Sequence, residues 1–154
     1  MGQFSFKSSG VTKDQQITNA LVVTPTPIGI KTPLVLGDDD LLKTNTDLGT
    51  QLSDNLRNLI LTNWGEHLGL YNFGANLRPL TTDLVSQDDF DAQAITRIRN
   101  AVQRWMPFID LQDFLSEVDR TQNQHTAVIQ LTITYNIPSL NVVGKKLQVT
   151  LYAI

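Results

Sequence analysis

The sequence predicts an α+β protein: an extended N-terminal arm, then two helices packed on a three-stranded antiparallel C-terminal sheet with an open edge. Three observations predict it. Residues 46–62 and 88–105 repeat apolar side chains at the helical period of about 3.6 residues. The last third of the chain alternates apolar and polar residues, the pattern of half-buried strands. Residues 1–44 hold seven of the chain's 15 glycines and prolines, which bar helix interiors.

The arm comes first. Pro25, Pro27, Gly29, Pro33 and Gly37 break any helix here, and short strands are expected around residues 3–6 and 28–30. Such a segment must lie on the domain, residues 45–154, or on a partner. The first helix, residues 46–62, follows because Leu48, Leu52, Leu56, Leu59 and Ile60 share one face. Asn45 or Thr46 is the expected N-cap and Gly65 the expected stop. Gly49 weakens it by about 1 kcal/mol. Residues 63–87 read as a packed connection rich in aromatics and glycine. In the second helix, Ser86 is a candidate cap. Asp88, Asp89 and Asp91 sit at the positive end of the helix dipole and Arg97, Arg99 and Arg104 toward the negative end. Ala94, Ile95, Ile98, Ala101, Val102 and Trp105 form its stripe, and Pro107 stops it.

Three strands complete the domain. Along residues 109–119 the apolar parity switches from Leu111 to Phe114 and Val118, which predicts a bulge near Asp113. Residues 127–136 alternate strictly, and so do residues 146–154. In the last strand Leu147, Val149 and Leu151 face in, while Lys146, Gln148, Thr150 and Tyr152 face out. One wet face and one apolar face call for an antiparallel sheet with helices on one side.

Composition bounds the function. The chain has 154 residues, enough for one domain that buries about 70% of its unfolded surface without a staple. Net charge is −3, against the basic excess that phosphate binding requires, so neither a nucleic-acid partner nor a membrane partner is expected. There is no cysteine, which removes disulfides, thiolate metal sites and thiol nucleophiles. His67 and His125 are the two histidines, too few for a histidine metal centre. No apolar run reaches the ~18 residues of a membrane span, and the first ten residues lack a secretory pattern. No metal and no cofactor is expected.

Catalytic readings are thin. Glu66 and Glu117 are the two glutamates, and neither has a neighbouring carboxylate to form an acid–nucleophile pair. His67 lacks a Ser or Cys motif beside it, and His125 lies in the hairpin loop of residues 121–126. Asp38, Asp39 and Asp40 lack the alternating order of a calcium loop. The Gly69–Gly74 spacing lacks the Lys-Ser/Thr of a phosphate loop. Arg97 and Arg104, seven apart, read as a solvated face or as a docking patch for an acidic partner. Two features remain. The last strand runs to Ile154 with only Lys145 and Lys146, at its start, as guards, so either a strand of another chain adds to it or the arm of residues 1–44 covers it. The corner Trp105-Met106-Pro107-Phe108 crowds apolar residues, and exposure of Met106 and Phe108 there would mark an interface.

Two stretches carry a resemblance. One is Ile60-Leu61-Thr62-Asn63-Trp64-Gly65-Glu66-His67 followed by Phe73-Gly74-Ala75-Asn76-Leu77. The other is Asn100-Ala101-Val102-Gln103-Arg104-Trp105-Met106-Pro107-Phe108-Ile109. In this order they resemble the baseplate wedge family of contractile phage tails, which includes the sheath initiator and its type VI secretion counterpart. The resemblance covers about residues 48–154. His67 stands where the family carries Arg, and Met106 and Phe108 stand where Glu and Arg flank the proline. The resemblance implies a non-enzymatic structural subunit of the virion tail baseplate, assembled in the host cytoplasm. Its implied partners are other wedge proteins with their helical core bundle, the tail sheath protein, and the tail tube or hub. The corner Arg104, Met106, Pro107 and Phe108 would grip the bundle. The strand residues Lys146, Gln148, Val149, Thr150, Leu151 and Tyr152 would receive a sheath strand and template polymerisation. The family is also labelled lysozyme-like, so a baseplate-associated peptidoglycan hydrolase is the alternative, beside the equivalent subunit of a secretion or tail-like particle.

Overall fold

A computed structural model describes residues 25–37, 41–82, 87–123 and 126–153. The elements in chain order are β1 (Gly29–Ile30), β2 (Thr44–Asn45), α1 (Leu48–Leu61), α2 (Arg78–Thr82), α3 (Gln87–Trp105), β3 (Asp110–Asn123), β4 (Thr126–Ile137) and β5 (Val142–Ala153). The predicted α+β architecture stands, with the strand expected at 28–30 found as β1. The strand expected at 3–6, the Ser86 cap, Asp38–Asp40, His125 and Ile154 lie outside the described residues.

The large sheet has the order β3-β4-β5, antiparallel throughout. Its central strand shows why it forms. Ile129, Leu131, Ile133, Tyr135 and Ile137 are all buried on one face, while Gln130, Thr132, Thr134 and Asn136 between them lie on the other, and both sets pair with β3 and β5. The register of β3 slips between Leu111 and Asp113, as the parity switch predicts. That slip keeps both Leu111 and Phe114 on the inner face and sends Leu115 outward, where it is 65% exposed.

Helices α1 and α3 cover the inner face. Leu56, Leu59 and Ile60 of α1 and Phe90, Ala94, Ile98 and Val102 of α3 are buried against the sheet. Each such Leu, Ile or Phe contributes roughly 1.5–3 kcal/mol. Polar pins set the layers. The Tyr135 hydroxyl bonds Ser53 Oγ at 2.7 Å, Lys145 Nζ donates to the Gly49 carbonyl at 3.1 Å, and Ser116 Oγ bonds Asp91 Oδ1.

Several expectations are corrected. Asp47, rather than Asn45 or Thr46, caps α1: its carboxylate accepts from the Thr50 backbone N–H at 2.7 Å. Leu48 is 43% exposed, because it sits in the first turn before the helix reaches the sheet. The helix ends at Leu61 with Thr62 as its cap, ahead of Gly65. The connection contains a further short helix, α2, and β5 starts four residues before the predicted strand. Lys145 turns toward α1 instead of guarding an edge. Asp54, on the first helix, is buried and accepts from Asn45 Nδ2 at 2.7 Å and from Thr32 N at 3.0 Å. It ties the arm strands β1 and β2 to the domain.

Candidate interaction surfaces

The Phe-Gly block is the closing device of α1. Gly74 has φ +107°, and a Cβ there would lie 2.1 Å from the Thr62 carbonyl oxygen, so only glycine fits. That approach lets Ala75 N donate to Leu59 O at 3.0 Å and Asn76 N to Thr62 O at 3.3 Å. Both acceptors are carbonyls the helix end would otherwise leave unpaired. Leu77 then drops into the core.

The second motif meets this block in space. The Phe73 ring lies 4.8 Å from His67 and 5.2 Å, edge-on, from Trp105, and the Arg104 guanidinium lies 5.0 Å from the Trp105 ring. The corner itself is a turn. Met106 N closes the last helical bond to Val102 O, and Ile109 N reaches back to Met106 O at 3.0 Å, leaving Pro107 and Phe108 at the tip. The expected exposure of Met106 is corrected: it is 6% exposed, a core residue, whereas Phe108 is 43% exposed. Met106 points back under the turn because its residue still belongs to the α3 face that carries Val102. Phe108 and Phe73 line an open groove of about 460 Å³ that is also lined by Asn55 and Asn58 of α1 and by its cap Thr62.

Strand β5 is an edge strand, since β4 is its one partner among the described residues. Val149 is buried and Leu151 half-buried on the inner face, while Lys146, Gln148, Thr150 and Tyr152 are exposed on the outer one. The opposite edge, β3, carries Asp110, Asp113, Glu117 and Asp119 and a bulge. Charge and irregularity blunt it along its length, whereas in β5 the register shift and the lysines Lys145 and Lys146 lie toward its start, and Lys145–Ala153 pair in unbroken register with β4.

Glu66 is exposed and serves its own loop. Its carboxylate accepts from Asn63 N at 2.7 Å and Asn63 Nδ2 at 3.1 Å. Those hydrogen bonds, with the Arg78 charge adding to them, hold its carboxyl below the usual glutamate range. A general acid needs the opposite shift. His67 is exposed and its Nδ1 lies 3.1 Å from the Leu68 carbonyl. Among the described residues no group of three or more His, Cys, Asp or Glu could hold a metal, and no helix is long and apolar enough to cross a membrane. Sequence reasoning missed Trp64, Leu68 and Tyr71, exposed on the connecting loop, and the arm's Leu34 and Leu36. The signal available was apolar residues in segments too short in period to bury them.

No protein-family model and no curated protein matches the sequence. Solved structures do. A chain of the anti-feeding prophage (AFP) baseplate superposes with a TM-score of 0.56 at 18% identity, covering 70% of this chain and 82% of that one. A protein of Geobacter sulfurreducens described as a "putative tail lysozyme" gives 0.53 at 15% identity, covering 71% of this chain and 93% of that one. This chain shares its fold with both proteins, and the resemblance read from the two motifs is borne out at the level of fold.

Proposed function

We propose that this protein is a structural subunit of a contractile-tail baseplate that joins the baseplate to the sheath and templates sheath assembly by strand addition. The observation that carries the reading is the β5 edge. From Lys145 to Ala153 it pairs in unbroken register with β4, and its charges, Lys145 and Lys146, lie toward its start, on a sheet whose opposite edge is blunted. Main-chain pairing is indifferent to most side chains, so it suits a joint that must accept a repeating protein. Register would come from the inner-face positions Val149 and Leu151. The likeness to a baseplate chain supports the setting. The turn carrying Pro107 and Phe108, with Arg104 beside it, would meet the helical core bundle of the wedge through apolar contact. The tail tube or hub would be a further neighbour.

The test is Thr150→Pro, or removal of residues 148–154, in assembling particles, with folding checked first by circular dichroism. Baseplates should form without sheath. Normal sheathed tails from a folded variant would refute strand addition. The hydrolase reading follows from the name of the Geobacter neighbour. It is disfavoured because Glu66 is bound to Asn63 and held in its ionised form. Wild type and Glu66→Gln should both leave cell-wall turbidity unchanged, and Glu66-dependent clearing would reverse the assignment.

A further inference from the structure

Trp105, which lines the Phe108 groove, also lines a second cleft, between the connecting loop and α3. It measures about 240 Å³, below the ~300–1,000 Å³ usual for small-molecule pockets and enough for one or two side chains. Arg97 and Arg104 line it from α3, with Asn100 between them, and Trp64 and Asn72 line it from the loop. Asp and Glu are absent from this lining.

The arginines are only partly used. Arg97 is half-buried and gives one N–H to the Asn76 carbonyl at 2.6 Å. A guanidinium has five such donors in a fixed fork. Arg104 lies over the Trp105 ring, its guanidinium carbon 5.0 Å from the ring centroid, and its side chain makes no hydrogen bond among the described residues. Neither has a carboxylate partner among the described residues, and the amides of Asn72 and Asn100 make no hydrogen bond there. Seven residues of helix separate the two arginines by about 10 Å. Trp64, at 52% exposure, forms an aromatic wall. Tryptophan and arginine are the residues most enriched in interface hot spots.

We infer that this cleft binds a carboxylate-bearing segment of a partner protein, its Asp or Glu side chains bridging Arg97 and Arg104 against Trp64. Bidentate guanidinium–carboxylate pairing supplies the geometry. The net charge of −3 selects against a nucleic acid, because a long polyanion meets a repelling surface around a small positive cleft. A short acidic segment buries its charge in the cleft alone. The inference does not rest on the baseplate reading; it needs only the cleft.

Both tryptophans of the chain, Trp64 and Trp105, line the cleft, so intrinsic emission reports occupancy. The probe is an acetylated, amidated peptide of alternating Glu and Ser, titrated at low salt beside its Gln–Ser counterpart and an oligothymidylate of equal charge. The Glu peptide should give a saturable emission change and the Gln peptide none. Arg104→Gln, an exposed change checked by melting, should weaken binding about tenfold. Arg99→Gln removes the same charge from an exposed position outside the cleft and should leave binding within about twofold. Three results would overturn the inference: no saturable change with the Glu peptide, equal weakening by Arg99→Gln, or tighter binding of the oligothymidylate.

Discussion

Gly74 shows how much one residue can decide. Its positive φ and the Thr62 carbonyl at 2.1 Å from a would-be Cβ leave no room for a side chain. Gly74→Ala must push the loop off the end of α1 and unpair the helical carbonyl of Leu59 and the cap carbonyl of Thr62. It should destabilise the fold by about 3 kcal/mol or more in urea unfolding. Tyr135 makes the second residue-scale prediction. Its hydroxyl is fully buried, and that burial raises its pKa above the ordinary 10.0 despite the Ser53 hydrogen bond. The folded state therefore holds the phenolic proton more tightly than the unfolded chain does. Its contribution is fully present below about pH 10 and is lost as pH rises through the raised folded value. Tyr135→Phe should flatten this alkaline loss, measured as melting temperature against pH.

At the scale of elements, the corner after α3 divides its work between neighbours. Met106 is core, so Met106→Ala should cost about 2–4 kcal/mol. Phe108 is exposed, so Phe108→Ser should barely move the melting temperature yet weaken wedge assembly, read by co-purification with baseplate components. If Phe108→Ser destabilises as much as Met106→Ala, the tip is packing rather than interface. The arm is tied at the buried Asp54 carboxylate, beside which Arg57 donates to the Thr32 carbonyl at 3.3 Å and Asn45 Nδ2 to Gln51 Oε1 at 3.0 Å. Asp54→Ala leaves Thr32 N without its acceptor and Asn45 Nδ2 with Gln51 alone, and should speed proteolysis within residues 25–45, while α1 and the sheet stay protected. The helices and strands were legible because each repeats a period over two or more turns or pleats. Helix α2 was not, since five residues, Arg78–Thr82, carry too little periodicity; its first N–H is held by Asn63 Oδ1 from fifteen residues away.

For the whole molecule, the asymmetry of the sheet matters most. One edge carries acidic side chains along its length and a bulge, the other a strand that pairs in unbroken register from Lys145 to Ala153 with Lys146 as its single outward charge. Placing charge on the second edge should block strand addition without touching the core. Thr150→Lys with Tyr152→Lys alters exposed positions and should hold the melting temperature within a few degrees, yet yield baseplates with little sheath by electron microscopy. Unchanged sheathing would remove the edge from the assembly mechanism.

The sequence by itself determined the α+β class, the two long helices, the three strands, the bulge before Phe114 and the pairing of inward with outward residues. All of these follow from periodicity, which is a local property that burial on one face enforces. Tertiary structure decided what depends on distant residues. It chose Asp47 as the cap, sent Met106 inward and Phe108 outward, and bound Asp54 to the arm. It also set Glu66 on Asn63, and joined the Phe-Gly block to Trp105 so that two separated motifs form one surface. Periodicity fixes which face of an element is apolar, but the neighbour that covers that face is chosen only when the layers pack.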